Sequence, residues 1–154
     1  VEISEFIIYN SDNKLKRRVN VLSSNQQTLD HFQAQVSELL LRHRSLLDIL
    51  SKIDQTSAAV NRSVTKSVTD CGCISIHASK QPFELVSSIE QANEKISNHV
   101  SGTLCEQCHE YIQTQLGKNL FYLTALCSQL DINLQDVVNK ETDRCTTLGL
   151  FNLT

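Results

Sequence analysis

The stretch LCEQCHEYIQTQLGKNLFYLTALCSQL, residues 104–130, decides the fold class. Leu104, Cys108, Ile112, Leu116, Leu120, Leu123, Leu126 or Cys127, and Leu130 recur every three or four residues, the period of one helix face. Upstream, Phe32, Val36, Leu39, Leu40, His43, Leu46, Leu47, Leu50 and Ile53 form a second stripe, and Val60, Val64 and Val68 continue it. No Gly or Pro interrupts residues 21–71, so this segment reads as one long bent helix or as two in near succession. Asp54-Gln55-Thr56-Ser57 is the expected kink or break. Downstream, Asp131-Ile132-Asn133 turns the chain. Asn133 with Asp136 three residues on predicts an N-cap, and a last helix runs to about Arg144. The expected product is an all-α antiparallel helical bundle.

Composition agrees with that class. The chain has 154 residues, 40% apolar and 20% charged, which suits a single globular domain with its own core. Only 4 Gly and 1 Pro are present, too few for a turn-rich sheet protein. Residues 1–25 read as an N-terminal arm: residues 2–9 alternate weakly, and 10–25 are polar and basic. The run Lys14-Leu15-Lys16-Arg17-Arg18 reads as a solvated loop, with an acidic partner as the sharper alternative. Residues 26–154 form the expected helical domain. The net charge of −3 gives no reason to expect nucleic acid or a membrane as partner. No stretch reaches the ~20 apolar residues of a membrane span, and Val1–Ile8 is too short and acidic for a secretory signal. No Met opens the chain, which leaves room for a leading segment.

Residues 71–87 change character and read as a cysteine-bearing loop between the central helices. Cys71-Gly72-Cys73 opens it, Ile74 and Ile76 alternate, and Pro82 sits in the middle. Ser87 with Glu90 carries a capping-box signature for a short polar helix to about residue 98, which Ser101-Gly102 breaks.

The six cysteines comprise two tight pairs and two singles. Cys127 and Cys145 lie in apolar helical patterns, where a free Cys behaves as a small hydrophobe. Cys71, Cys73, Cys105 and Cys108 supply four thiols as C-x-C and C-x-x-C from separate segments, and close spacing lets one turn aim two sulfurs at one ion. Gly72 permits the sharp turn. Cys105 and Cys108 fall at a helix N-terminus, whose N–H groups and dipole favour the thiolate. Four thiolates suit zinc, and they also suit an iron–sulfur cluster. Unliganded thiols and a disulfide are the bland alternatives. A metal site fits a reducing compartment, so the expected location is cytoplasmic. Cys105-Glu106-Gln107-Cys108-His109 also matches the C-x-x-C-H attachment signature of c-type haem, but that reading leaves Cys71 and Cys73 unexplained. His77, four residues after Cys73, is a candidate substitute ligand or partner to one. His43 on an apolar stripe reads as a core or interface residue.

The runs Gln115-Leu116-Gly117-Lys118-Asn119-Leu120-Phe121-Tyr122-Leu123 and Leu130-Asp131-Ile132-Asn133-Leu134-Gln135-Asp136-Val137 resemble the C-terminal half of MazG-like domains, all-α nucleoside triphosphate pyrophosphohydrolases. The helix over 32–68 is similar to the family's first half, while the cysteine loop lies outside its pattern. The resemblance implies a helical bundle and self-association into at least a homodimer, which the long apolar stripes also suggest. It further implies a Mg²⁺ site built from two carboxylate motifs. These motifs fall here on Gln55, Thr56 and Ala59, and on Gln115 and Lys118. None is acidic, and Mg²⁺ demands hard oxygen ligands. Glu38, Asp48 and Asp54 lie nearby, but no register supplies the full set. The sequence therefore leans towards a degenerate, non-catalytic member that holds a metal and acts as a binding or regulatory module, with a protein partner. An iron–sulfur or thiol redox sensor and an active Mg²⁺-dependent pyrophosphohydrolase are the alternatives.

Overall fold

The computed structural model describes residues 28–40, 44–82, 84, 87–88, 91 and 94–148. These residues are predominantly helical. In chain order they form α1 (28–39), α2 (Leu46–Lys66), a π-helical turn (Ser67–Cys71), β1 (Ile74–Ile76), β2 (Val100–Gly102), α3 (Glu106–Gln129) and α4 (Leu134–Leu148). The expected arm over 1–25 and its basic run lie outside the described residues, as does His43.

The helix break falls earlier than expected. Residues 54–57 lie inside α2, and the chain breaks between residue 39 and Leu46. Ser45 is the N-cap in extended backbone (φ −70°, ψ 131°), and Asp48 sits in the first turn, where the helix dipole favours an acid. Thr56 does not end the helix, because its hydroxyl donates back to the Lys52 carbonyl (2.8 Å). The break resets the helical phase. Leu39, Leu46, Leu47 and Leu50, expected in the core, are exposed, and Ile49 is fully buried instead.

α2 and α3 pack as a long antiparallel hairpin. Ile49, at the start of α2, joins Ala125, near the end of α3, in the core cluster with Val36 of α1 and Leu40 just after it. At the hairpin's middle, Asn119 of α3 donates to the hydroxyls of Thr56 and Ser57 (both 3.0 Å). At its far end, Cys71 meets Cys105. Phe32, Ile53, Phe121 and Leu126 complete the core around α1.

The buried positions of α2 are Ile49, Thr56 and Ser63, and Ser67 continues them into the π turn, so most of this seam is hydroxylic. Gln115 and Thr124 are buried on α3. The hydroxyls bond within their own helices: Ser63 to the Val60 carbonyl, Ser67 to that of Val64 (both 2.6 Å), and Thr124 to that of Leu120 (2.8 Å). A buried polar group is costly only when unpaired, so these small side chains can line a close helix contact. The leucine stripe expected to bury α3 is displaced by one position: Leu116, Leu120, Leu123 and Leu130 remain 40–51% exposed.

The corner between α3 and α4 is held by α1. Gln33 donates to the Ile132 carbonyl (2.8 Å) and accepts the Leu134 N–H (2.8 Å). Asn133 caps α4 as expected, accepting the Asp136 N–H (3.0 Å). α4 runs one turn beyond Arg144, to Leu148. Cys127 is half-buried, whereas Cys145 is exposed on α4 rather than packed as a small hydrophobe.

Ile49→Ala should lower unfolding stability by about 2–4 kcal/mol through the cavity it leaves. Leu47→Ala, at a side chain 76% exposed, should stay within about 0.5 kcal/mol. Chemical denaturation of both variants checks the reset phase, which equal losses would contradict.

Candidate metal centre

Three local devices converge the cysteine pairs. The first is the end of α2. Its last turn widens into the π-helical turn Ser67–Cys71, a feature that re-aims side chains and recurs at functional sites. Gly72 then stops it in left-handed backbone (φ 69°, ψ 15°), the usual helix terminator. The second is the start of α3. Cys105 is the N-cap residue in extended backbone, and Cys108 lies one turn on, so both sulfurs stand at the positive helix end.

The third device is a two-stranded antiparallel ladder. Ile74 pairs with Gly102, Ser75 with Ser101 and Ile76 with Val100, and the His77 N–H bonds the His99 carbonyl (2.9 Å). The extended piece at Ile74–Ile76 was legible; its partner was not, since Ser101-Gly102 read only as a breaker. The ladder presses Cys73 against Gly102. A Cβ at Gly102 would lie 2.6 Å from the Cys73 carbonyl oxygen, and φ there is +89°. Only glycine fits this strand pairing.

The sulfurs of Cys71, Cys73, Cys105 and Cys108 all lie within 4.8 Å of one another, and those of Cys71 and Cys105 are 3.7 Å apart. Cys71 is exposed, and the other three are half-buried. The Cys73 thiol points at the Ser67 carbonyl (3.6 Å) inside the π turn. Among the described residues this is the one cluster of metal-ligating side chains. Four cysteines in this arrangement could hold a metal ion. Lys66 is engaged with Asp70 (2.7 Å) and holds that carboxyl below its ordinary range.

The thiols divide the charge unevenly. The Cys108 backbone N–H and thiol, then the Cys71 thiol, lower Cys105 from 9.0 to about 7. Cys108 is pushed up to about 12, chiefly because its thiol donates to Cys105, and Cys71 is raised for the same reason. Cys105 is thus the thiol of this group that ionises most readily, because its neighbours hydrogen-bond to its sulfur.

His77 is not part of the cluster. Its Nε2 lies 3.2 Å from the Ser75 hydroxyl on the ladder. His109 is exposed in the first turn of α3. The capping expected of Ser87 and Glu90 is shifted by one residue: Ser88 accepts the Gln91 N–H (3.3 Å), and Glu90 lies outside the described residues. Of the positions matching the MazG-like carboxylates, Thr56 and Gln115 are buried, Ala59 is half-buried, and Gln55 and Lys118 are exposed. Glu38 and Asp54 are exposed as well.

Gly102→Ala should disrupt the ladder and weaken metal binding at least tenfold. Gly72→Ala meets nothing within 4 Å and should cost only the left-handed strain of about 1–2 kcal/mol. Metal titration of the two variants separates these effects. A second test is pH-dependent. Cys105 has a depressed folded value, so the stabilisation it draws is present above 9.0, its ordinary value, and lost as pH falls through about 7. Cys108, raised, contributes stabilisation present below 9.0 and lost as pH climbs towards 12. In metal-free protein, alkylation mapped by mass spectrometry should therefore reach half its maximal rate near pH 7 at Cys105, with Cys108 the slower thiol. Equal rates at pH 7 would contradict the assignment.

No helix among the described residues is long and apolar enough to cross a membrane. No known protein family, curated protein or solved structure matches this chain.

Proposed function

We propose that this protein binds one metal ion, zinc, through Cys71, Cys73, Cys105 and Cys108, and that the ion clasps the tip of the α2–α3 hairpin. The observation that carries the reading is the sulfur spacing. Zinc–sulfur bonds of about 2.3 Å in a tetrahedron put sulfurs about 3.8 Å apart. The Cys71–Cys105 separation is 3.7 Å, and no pair in the quartet exceeds 4.8 Å. A small contraction would close the remaining edges on one ion. Thiolate is the ligand form, and Cys105 already favours it near neutral pH. Binding would displace protons from the thiols that retain them, so affinity would fall steeply in acid.

The role that follows is structural and regulatory. The clasp fixes two helix ends and the loop between them, and the hairpin serves as a binding module for a partner. The MazG-like likeness fits a degenerate member. Its expected carboxylate positions hold Gln55, Thr56, Ala59, Gln115 and Lys118, a set that cannot coordinate Mg²⁺. A second reading, a thiol redox sensor or iron–sulfur protein at the same four residues, draws on the exposure of Cys71 and the ionised character of Cys105.

Elemental analysis of protein purified without oxygen or chelators should give one zinc per chain and no visible colour. Chelation should lower the melting temperature, and Cys108→Ser should lose zinc while α2 and α3 remain helical by circular dichroism. Iron with sulfide absorption would transfer the protein to the second reading. Absence of metal, or Mg²⁺-dependent release of pyrophosphate from nucleotides at an enzymatic rate, would overturn the first.

A further inference from the structure

The four cysteines are not equally enclosed, and the difference has a direction. Cys73 is held in by the ladder: its carbonyl oxygen abuts Gly102, and its thiol points at the Ser67 carbonyl (3.6 Å). Cys105 is the cap residue of α3 and faces Cys71 across the tip (3.7 Å). Cys71 alone of the quartet is exposed. Beside it lies a groove of about 340 Å³ between the end of α2 and the first turns of α3. Cys71 and Cys108 line this groove, and Cys73 and Cys105 do not.

The rest of its wall is small or apolar. Ser63 and Ser67 stand on the α2 side, and their hydroxyls are turned to the Val60 and Val64 carbonyls (both 2.6 Å), away from any ligand. Tyr111, on the turn after Cys108, supplies an aromatic ring on the α3 side and stays 55% exposed. Lys66 and Asp70 also line the groove, paired with each other at 2.7 Å and about half exposed (47% and 59%). Both signs of charge therefore stand at its mouth. A closed structural ion with four sulfurs has no use for such an approach, since its coordination is complete. Exchange of one ligand for another does require it.

We propose that this groove is the exchange port of the metal centre, where a small zwitterionic thiol replaces Cys71 on the ion and lets zinc pass in or out. The proposal rests on the zinc reading of the quartet. The groove's volume is at the low end for small-molecule sites, which suits a thiol the size of a short peptide. Lys66 and Asp70 match the carboxylate and the ammonium of one such ligand, and a soft thiolate is what zinc accepts in place of another. In the step, the incoming sulfur bonds zinc as the bond from zinc to Cys71 breaks, and the thiol's proton passes to the Cys71 sulfur. No electron changes hands. Cys71 is the ligand free to leave: Gly72 follows it in left-handed backbone with nothing within 4 Å of its Cβ position. Cys73 stays on the ladder, and Cys105 and Cys108 stay on α3. The clasp is thus loaded and unloaded without unfolding the hairpin.

Zinc transfer tests it. Zinc-loaded protein is mixed with an excess of a chromophoric chelator, with and without glutathione, a zwitterionic thiol peptide, and the rate is read by absorbance. Glutathione should speed transfer at least tenfold, and mercaptoethanol at equal thiolate concentration several-fold less. Gln107→Trp, which fills the groove from an exposed position, should remove most of the gain while retaining one zinc per chain. His109→Trp, exposed in the same turn of α3 but outside the groove, should keep it. A pulse of iodoacetamide on the zinc-loaded wild type needs no variant: glutathione should raise alkylation of Cys71 several-fold, with Cys73, Cys105 and Cys108 protected. A wild type that retains no zinc would overturn the zinc reading and the port with it. One zinc per chain would leave that reading standing, and the port alone would be overturned by any of four results: transfer indifferent to glutathione, an equal gain with mercaptoethanol, an undiminished gain in Gln107→Trp, or first alkylation at Cys73, Cys105 or Cys108.

Discussion

Two helices of more than twenty residues approach most closely along their length when what lies between them is small, and that contact is stable only when no buried hydrogen bond is left unmet. In this chain that condition is met by hydroxyls. Thr56, Ser63, Ser67 and Thr124 return their protons to carbonyls of their own helices, while Asn119 stitches α3 to Thr56 and Ser57. Everything else is placed by this contact. It carries the end of α2 to the start of α3, so that the turn after Ser67 and the cap at Cys105 open towards each other. It also leaves the larger aliphatic side chains on the flanks. One arrangement thus brings the sulfurs together at the tip and leaves leucines exposed along the side.

A hydroxylic seam contributes less than an aliphatic one, since burying a leucine is worth about 1.5–3 kcal/mol and a satisfied hydroxyl far less. The aliphatic core sits at one end, around Ile49, Ala125, Val36 and Leu40. The other end has the three-residue ladder and the four cysteines. The two ends therefore differ in what lies at them, aliphatic burial at the α1 end and the strand ladder with hydrogen-bonded thiols at the tip.

How far the sequence discloses this depends on the range of each signal. The cysteine quartet was legible because its information is local: C-x-C and C-x-x-C can aim sulfurs only over short distances, and Gly72 and a helix start flank them. Asn133 was legible for the same reason. The buried face of α2 was not, because the pattern of leucines favours a face that the folded chain exposes. The buried side chains at 56, 63 and 67 are polar by type and apolar in effect, since their protons are spent internally. Ser45 with Asp48 was the overlooked signal for the helix start; it has the Ser-x-x-acid form of a capping sequence. β2 carried no signal, because Val100-Ser101-Gly102 has neither alternation nor bulk. Its strand character is imposed by pairing with Ile74–Ile76.

The ladder also sets a boundary within the chain. Because the His77 N–H meets the His99 carbonyl at 2.9 Å and the Ser97 N–H meets the Gln81 side-chain oxygen at 3.1 Å, the chain on either side of the intervening segment is held together. Its two ends are joined regardless of what lies between. For a flexible segment closed at such a neck, each doubling of length costs only about 0.6 kcal/mol in chain entropy. Sequence inserted between Gln81 and Ser97 would therefore leave the ladder's two ends joined beside the sulfurs.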